Sequence, residues 1–190
     1  EYNYDDKGRL TLETFEDGET VAYPYNNYGN LATVTDSATG QTPTYYYDFT
    51  DRMMKYVEKS STGTHSVGYT YDSLNNLTAL KETFGDTVRQ FSYAYDGDNR
   101  PTSITAGNSF LGYAYDEFGR VATLTTKHDG NAFATKTYSY KLTTDGKPTN
   151  QVSTVTVKIG SNSTIYTYTY DKNGNITEIS DGTHTTRYTY

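Results

Sequence analysis

The sequence predicts an all-β protein, in which antiparallel β-hairpin repeats form one long, curved or spiralling sheet. Three observations lead to this prediction. Tyrosine occurs 22 times in 190 residues, and aromatic side chains favour strands. Most of these tyrosines stand in Tyr-x-Tyr pairs that recur along the chain. Turn-forming residues follow the pairs at short and regular distances, as they do in chains of hairpins.

Aromatic rings must supply most of the apolar surface of this protein. Leu, Ile, Val and Phe together number 30 residues, a share below the ~20% level that is typical of disordered chains. Disorder also goes with a high net charge, whereas the formal net charge here is only −7. We therefore expect the chain to fold, with tyrosine as its main apolar residue.

The Tyr-x-Tyr pair is the unit of an internal repeat. Residues i and i+2 of a strand share one face, so each pair places two rings on the same side of the sheet. The pairs indicate a single array over residues 1–190, with about eight repeats of 20 to 30 residues, cut at both ends from a larger protein. Their second tyrosines are Tyr4, Tyr25, Tyr47, Tyr71, Tyr95, Tyr115, Tyr140, Tyr170 and Tyr190.

A turn follows most of these pairs. An Asp stands directly after the second tyrosine, where its carboxylate can accept hydrogen bonds from nearby backbone N–H groups. A Gly three residues later supplies the left-handed backbone of a bulged hairpin loop. Asp51, Asn75 and Asn99 replace this glycine, and both residue types tolerate that conformation. The predicted structural turn residues are Asp5, Gly8, Asp72, Asp96, Asp116, Gly119, Asp171 and Gly174.

Two aliphatic residues with a spacing of three follow several turns, as in Leu77 and Leu80. This spacing does not match strict strand alternation. It indicates either a β-bulge or strands that are contacted on both faces, and the sequence does not distinguish the two.

Two places interrupt the repeat. Pro24 lies inside a Tyr-x-Tyr pair, and proline is tolerated in strands mainly at an edge or at the first position. After Tyr140 the motif is lost over residues 141–148, for which we expect an inserted surface loop.

The complete motif resembles the YD repeat of the RHS and YD-repeat proteins. Residues 113–121 (YAYDEFGRV) and 168–176 (YTYDKNGNI) carry the resemblance most clearly, and it extends over essentially the whole chain. The family includes bacterial polymorphic toxins, wall-associated proteins and animal teneurins. The resemblance implies a sheet that spirals into a hollow shell, and in the toxins this shell encloses a C-terminal toxic domain.

The resemblance also implies a function. We expect a non-catalytic structural segment of a secreted or surface-exposed bacterial protein, with adjacent repeats and an enclosed toxin domain as its partners. Catalytic, cofactor-binding and metal-binding residues are not predicted. The alternative is a carbohydrate- or receptor-binding repeat module that uses exposed rings, for which the candidate stacking residues are Tyr71, Tyr95, Tyr115 and Tyr170.

Several other partners and sites are not expected. No cluster of Lys and Arg is present for nucleic-acid binding, and no apolar stretch approaches the length of a membrane span. His65, His128 and His184 are interpreted as surface loop residues without a shared ligand. Open edge strands at both ends predict end-to-end self-association, which a monomer at high concentration by light scattering would contradict.

Overall fold

The computed structural model describes all 190 residues, and every regular element in it is a β-strand. Because it has no helix, it has none that could cross a membrane. The strands of the amino-terminal half are β1 Tyr2–Tyr4, β2 Leu10–Thr14, β3 Thr20–Ala22, β4 Thr35–Asp36, β5 Thr44–Tyr47, β6 Met53–Ser60, β7 Gly63–Tyr71, β8 Leu77–Phe84 and β9 Thr87–Tyr95. Those that follow are β10 Pro101–Ala106, β11 Ser109–Tyr115, β12 Val121–His128, β13 Asn131–Leu142, β14 Pro148–Ile159, β15 Asn162–Tyr170, β16 Ile176–Ser180 and β17 Thr185–Arg187.

Strands that are neighbours in the chain are also neighbours in the sheets. β1 to β4 form a four-stranded sheet, and β5 to β17 follow one another in a thirteen-stranded sheet. The chain forms two compact units, Glu1–Ser92 and Tyr93–Tyr190. The first unit holds β1 to β8 and most of β9, and the second holds the end of β9 and β10 to β17. The predicted all-β, antiparallel fold is confirmed.

Regular strand structure is interrupted at Pro24, and the division into two sheets lies further along the chain, between β4 and β5. β3 ends at Ala22, and after the proline Tyr25 makes only an isolated bridge to Leu31. Proline has no N–H group to donate to a ladder, although the Pro24 carbonyl still accepts a 2.8 Å bond from the backbone N–H of Ala32. Regular pairing resumes at β4, which pairs with β3, and the second sheet begins at β5.

The surface loop expected at residues 141–148 is not present, and that prediction was wrong. β13 and β14 are instead the longest strands, with 12 residues each. A tight turn joins them, in which the Thr143 N–H donates to the Lys147 carbonyl at 2.8 Å and the Lys147 N–H donates to Thr143 Oγ1 at 2.9 Å. Thr143 takes the place of the usual Asp and closes the same kind of turn. Because it stands three residues after Tyr140 instead of directly after it, the hairpin is longer.

A β-bulge explains the three-residue aliphatic spacing. Leu80 lies opposite Tyr69 and Leu77 lies opposite Tyr71, with Thr78 as the extra residue between them. Both leucines therefore face the same side as the paired rings. The same register occurs for Val121 and Leu124 with Tyr115 and Tyr113, and for Ile176 and Ile179 with Tyr170 and Tyr168.

The protein has almost no conventional core. Val155, at 8% exposure, is its only buried apolar side chain. Tyr69 and Tyr71 are half-buried, whereas Thr70 between them is exposed. Stability must therefore come mainly from contacts between neighbouring strands, which the paired rings make along one face.

Candidate functional site

The turn after most Tyr-x-Tyr pairs is closed by the Asp that follows the pair. Asp116 Oδ1 accepts bonds from the backbone N–H groups of Phe118 at 3.0 Å and Arg120 at 2.9 Å. The Gly119 N–H donates to the Asp116 carbonyl at 3.0 Å, and Gly119 has a φ of +76°. Carboxylates that accept in the same way are Asp5, Asp48, Asp72, Asp96 and Asp171. Other left-handed residues at the glycine position are Gly8, Gly29, Asp51, Asn75, Asn99 and Gly174.

The residue after the left-handed position completes this network. Arg120 Nε donates to Asp116 Oδ2 at 2.7 Å, and its Nη2 pairs with the same oxygen at 2.7 Å. Where Asn replaces Arg, the Asn175 amide donates to Asp171 Oδ2 at 3.0 Å. Arg and Asn alternate at this position because either side chain can donate to the same carboxylate oxygen.

In five of the pairs the second tyrosine then binds the preceding repeat. The Tyr140 hydroxyl donates to the Val121 carbonyl at 2.8 Å, and the Arg120 guanidinium lies 4.2 Å from the centre of the Tyr140 ring. This is a cation–π contact combined with a hydrogen bond. The other hydroxyl bonds are Tyr25 to Leu10 at 3.0 Å, Tyr71 to Met53 at 3.0 Å, Tyr115 to Pro101 at 2.7 Å and Tyr170 to Val152 at 2.9 Å. The corresponding cations are Arg9, Arg52, Arg100 and Lys141.

These contacts involve three of the candidate ligand-stacking rings, Tyr71, Tyr115 and Tyr170. In each of them the hydroxyl is bonded, a cation lies over the ring, and burial raises the pKa. Tyr95 is half-buried and also has an interaction partner. Stacking of a ligand on these four rings stays a prediction. The contacts present in the structure are contacts between repeats.

The turn carboxylates predict an acid-sensitive fold. The side-chain hydrogen bond from Arg100 lowers the pKa of Asp96 from its ordinary 3.8, and that from Asn175 does the same for Asp171. Because the pKa of each carboxyl is lower in the folded state than in the unfolded state, the ionised carboxylates stabilise the fold fully above about pH 4. This stabilisation is lost as the pH falls through the folded-state pKa. Urea unfolding at about pH 7, 4 and 2.5 should show this loss. The double variant Asp96→Asn/Asp171→Asn should show a weaker pH dependence, and an unchanged one would contradict the assignment.

A polar cleft of about 580 Å³ in the first unit was not foreseen. His65 lies in strand β7 and His128 is the last residue of β12, so the interpretation of these two histidines as loop residues was wrong. His65 Nε2 is 3.1 Å from Glu82 Oε1, and the His65 ring contacts Tyr56 and Phe84 edge-on. The Tyr56 hydroxyl donates to Glu58 at 2.6 Å, and burial followed by this bond raises the pKa of Tyr56 to about 12.

Alignment of the repeats by their tyrosines would have revealed this cleft. Gln41, His65 and Arg89 each precede a second tyrosine by six residues, and Glu58 and Glu82 each follow the first aliphatic residue of a repeat by five. Because these distances are constant, Glu58, His65, Glu82 and Arg89 form a row on one face of adjacent strands, with Gln41 just before β5. Sequence distance alone hides this row, since successive members are 7 to 17 residues apart.

The chain matches a known family of repeats. The family model described as "RHS Repeat" matches residues 4–42, 71–109 and 95–132, which together are more than half of the chain. The "tRNA3(Ser)-specific nuclease WapA" of Bacillus spizizenii is 28% identical over 211 residues, covering 98% of this chain and 9% of that protein. The "tRNA nuclease WapA" of Bacillus subtilis is 29% identical over 190 residues, covering 95% and 8%. The chain thus spans less than a tenth of these relatives.

Two solved structures align with this chain at lower sequence identity. TcdB2-TccC3 without its hypervariable C-terminal region aligns with a TM-score of 0.44 at 12% identity, over 95% of this chain and 12% of that one. A porin-like protein from Bacteroides uniformis aligns with a TM-score of 0.30 at 18% identity, over 98% and 84%.

Proposed function

Because the chain belongs to the RHS repeat family, we propose that it is a structural wall segment of a larger bacterial protein. In this proposal the segment builds part of a β-sheet shell, and the shell encloses or presents another domain, such as a toxin. Its partners are the adjacent repeats and that domain. The parent protein is secreted or exposed at the cell surface.

The contact between successive repeats is the observation that supports this function. The Asp, Arg and second Tyr of the motif are all used in it, and five tyrosines repeat it with the same hydrogen bond to the preceding repeat. The side chains that define the family are thus engaged within the protein. Such a chain can be extended by further repeats, since each one needs contacts only with its neighbours.

The relatives named as tRNA nucleases are about ten times longer than the matched segment. We assign any nuclease activity of the parent protein to the part outside these repeats. The acidic balance of this segment, with 23 Asp and Glu against 16 Lys and Arg, agrees with this assignment because RNA binding requires clustered positive charge. The isolated segment should therefore leave tRNA intact, and cleavage would contradict a purely structural role.

Protease protection in the full-length parent protein tests the shell. Tyr140→Ala removes one contact between repeats, so we expect faster digestion of the domain that the shell encloses. Lys172→Ala changes an exposed turn residue and should leave the digestion rate unchanged. The measurement is the half-life of the intact domain under limited proteolysis. Equal half-lives in the wild-type protein and the Tyr140→Ala variant would contradict an enclosing wall.

A further inference from the structure

The polar row in the cleft is particular to part of the array. Glu58, His65, Glu82 and Arg89 lie on one face of strands β6 to β9, and together with Gln41, which precedes β5, they line the cleft. In the later repeats the equivalent positions carry no charge over a long stretch. These are Ala106, Ser109, Thr126, Ala134, Val157 and Thr164. Repeat architecture alone therefore does not require the charged row.

Two carboxylates in this row keep some capacity to bind a cation. Glu58 accepts one bond through Oε2, from the Tyr56 hydroxyl, and no other side chain donates to its Oε1. Glu82 contacts His65, but its contact with Arg89 is loose. The distance from Oε2 to Arg89 Nη1 is 3.7 Å, and the Arg89 side chain is 71% exposed. An exposed pair of this kind contributes little.

Aromatic rings stand beside both carboxylates. The Tyr56 hydroxyl donates to Glu58, and Phe84, which is 52% exposed, lines the cleft two residues from Glu82 on the same strand. The turns of this protein bind their own arginine side chains with the same two groups, a carboxylate and an aromatic ring. Arg52, for example, pairs with Asp48 at 2.7 Å and lies 4.8 Å from the centre of the Tyr71 ring. A carboxylate combined with an aromatic face favours a guanidinium group.

Charge also favours a basic partner here. Residues 1–92 contain 14 Asp and Glu against 7 Lys and Arg, whereas residues 93–190 contain nine of each kind. The whole net charge of −7 thus belongs to the unit that holds the cleft. Such a unit attracts cationic partners and disfavours anionic ones.

We propose that this cleft binds an arginine side chain presented by an extended, basic segment of a partner polypeptide. Glu58 accepts the guanidinium, and the ring of Phe84 packs against it and its stem. Arg89 stands at the edge of the cleft and competes for Glu82. This proposal goes beyond the wall function, because a wall needs no charged row.

Fluorescence anisotropy with a labelled peptide tests the site. The probe is acetyl-Gly-Arg-Gly-Arg-Gly-amide, whose arginines lie on one face when it is extended. The control peptide carries citrulline, which has nearly the same shape without the charge. We expect the arginine peptide to bind about tenfold more tightly, because charge-assisted hydrogen bonds to carboxylates are the stronger ones. Equal binding of the two peptides would overturn the proposal.

Variants identify the cleft as the binding site. Glu58→Gln and Phe84→Ala should each weaken the binding of the arginine peptide by roughly fivefold. The first variant loses a charge pair and the second loses a cation–π contact. Arg89→Ala should tighten binding by about two- to fivefold, because it removes a like charge. Glu178→Gln changes a paired carboxylate in the second unit and should have no effect. The proposal would be overturned if the Arg89→Ala variant bound the arginine peptide more weakly than the wild-type protein. It would also be overturned if Glu58→Gln and Phe84→Ala both left this binding unchanged. Circular dichroism confirms that each variant is folded.

Discussion

Replacement of Tyr140 by alanine is expected to lower the free energy of unfolding by about 2 to 3 kcal/mol. The ring is half-buried, its hydroxyl donates to the Val121 carbonyl at 2.8 Å, and Arg120 lies over it. The variant also removes the nearer of the two rings that Arg120 contacts, and the side chain of this arginine is only 15% exposed. Urea unfolding followed by circular dichroism measures the change.

Two matched variants separate the parts of this effect. Tyr140→Phe keeps the ring and removes only the hydrogen bond, so it should cost about 1 kcal/mol. Tyr4 is also the second tyrosine of a pair, but it is 61% exposed, and Tyr4→Ala should change stability by less than about 0.5 kcal/mol. If Tyr4→Ala and Tyr140→Ala were equally destabilising, the contact between repeats would not be the source of stability.

Substitution of Gly119 by valine should be the second large change, with a loss of about 2 kcal/mol. Gly119 has a φ of +76°, a region that β-branched residues strongly avoid. A Cβ atom there would also lie 3.1 Å from Arg100 Nη1, and this arginine holds the Tyr115 ring of the same hairpin. The free energy of unfolding in urea is again the measurement.

Gly119→Asn is the control for this backbone argument. Asparagine already occupies the equivalent position at Asn75, with a φ of 68°, and at Asn99, with a φ of 67°. We expect a loss below about 1 kcal/mol, because asparagine tolerates the left-handed region better than other residues with a Cβ. A loss equal to that of Gly119→Val would mean that side-chain volume, and not the backbone conformation, limits this position.

Local features of the fold could be predicted from the sequence because they depend on a few adjacent residues. Asp51, Asn75 and Asn99 have positive φ values where the motif places glycine. The break at Pro24 follows from its missing N–H group. The paired rings share one face because strand side chains alternate. Each of these expectations needs only the residue itself and the strand period.

Other features depend on residues one or more repeats apart, and sequence distance conceals them. The bond from the Tyr71 hydroxyl to the Met53 carbonyl joins residues 18 positions apart. The cleft around His65 combines residues of several strands. The turn at residues 143–147 was missed for a different reason. A threonine hydroxyl can accept the same backbone bonds as an Asp carboxylate, and the motif was recognised only by its Asp.

The direction of the tyrosine hydrogen bond has a consequence for biosynthesis. Each hydroxyl donates to a carbonyl of the repeat before it, never of the repeat after it. A nascent chain therefore has the acceptor for each new tyrosine in place before that tyrosine leaves the ribosome. Repeats of this kind can fold one hairpin at a time during translation, without waiting for the carboxyl end of the chain.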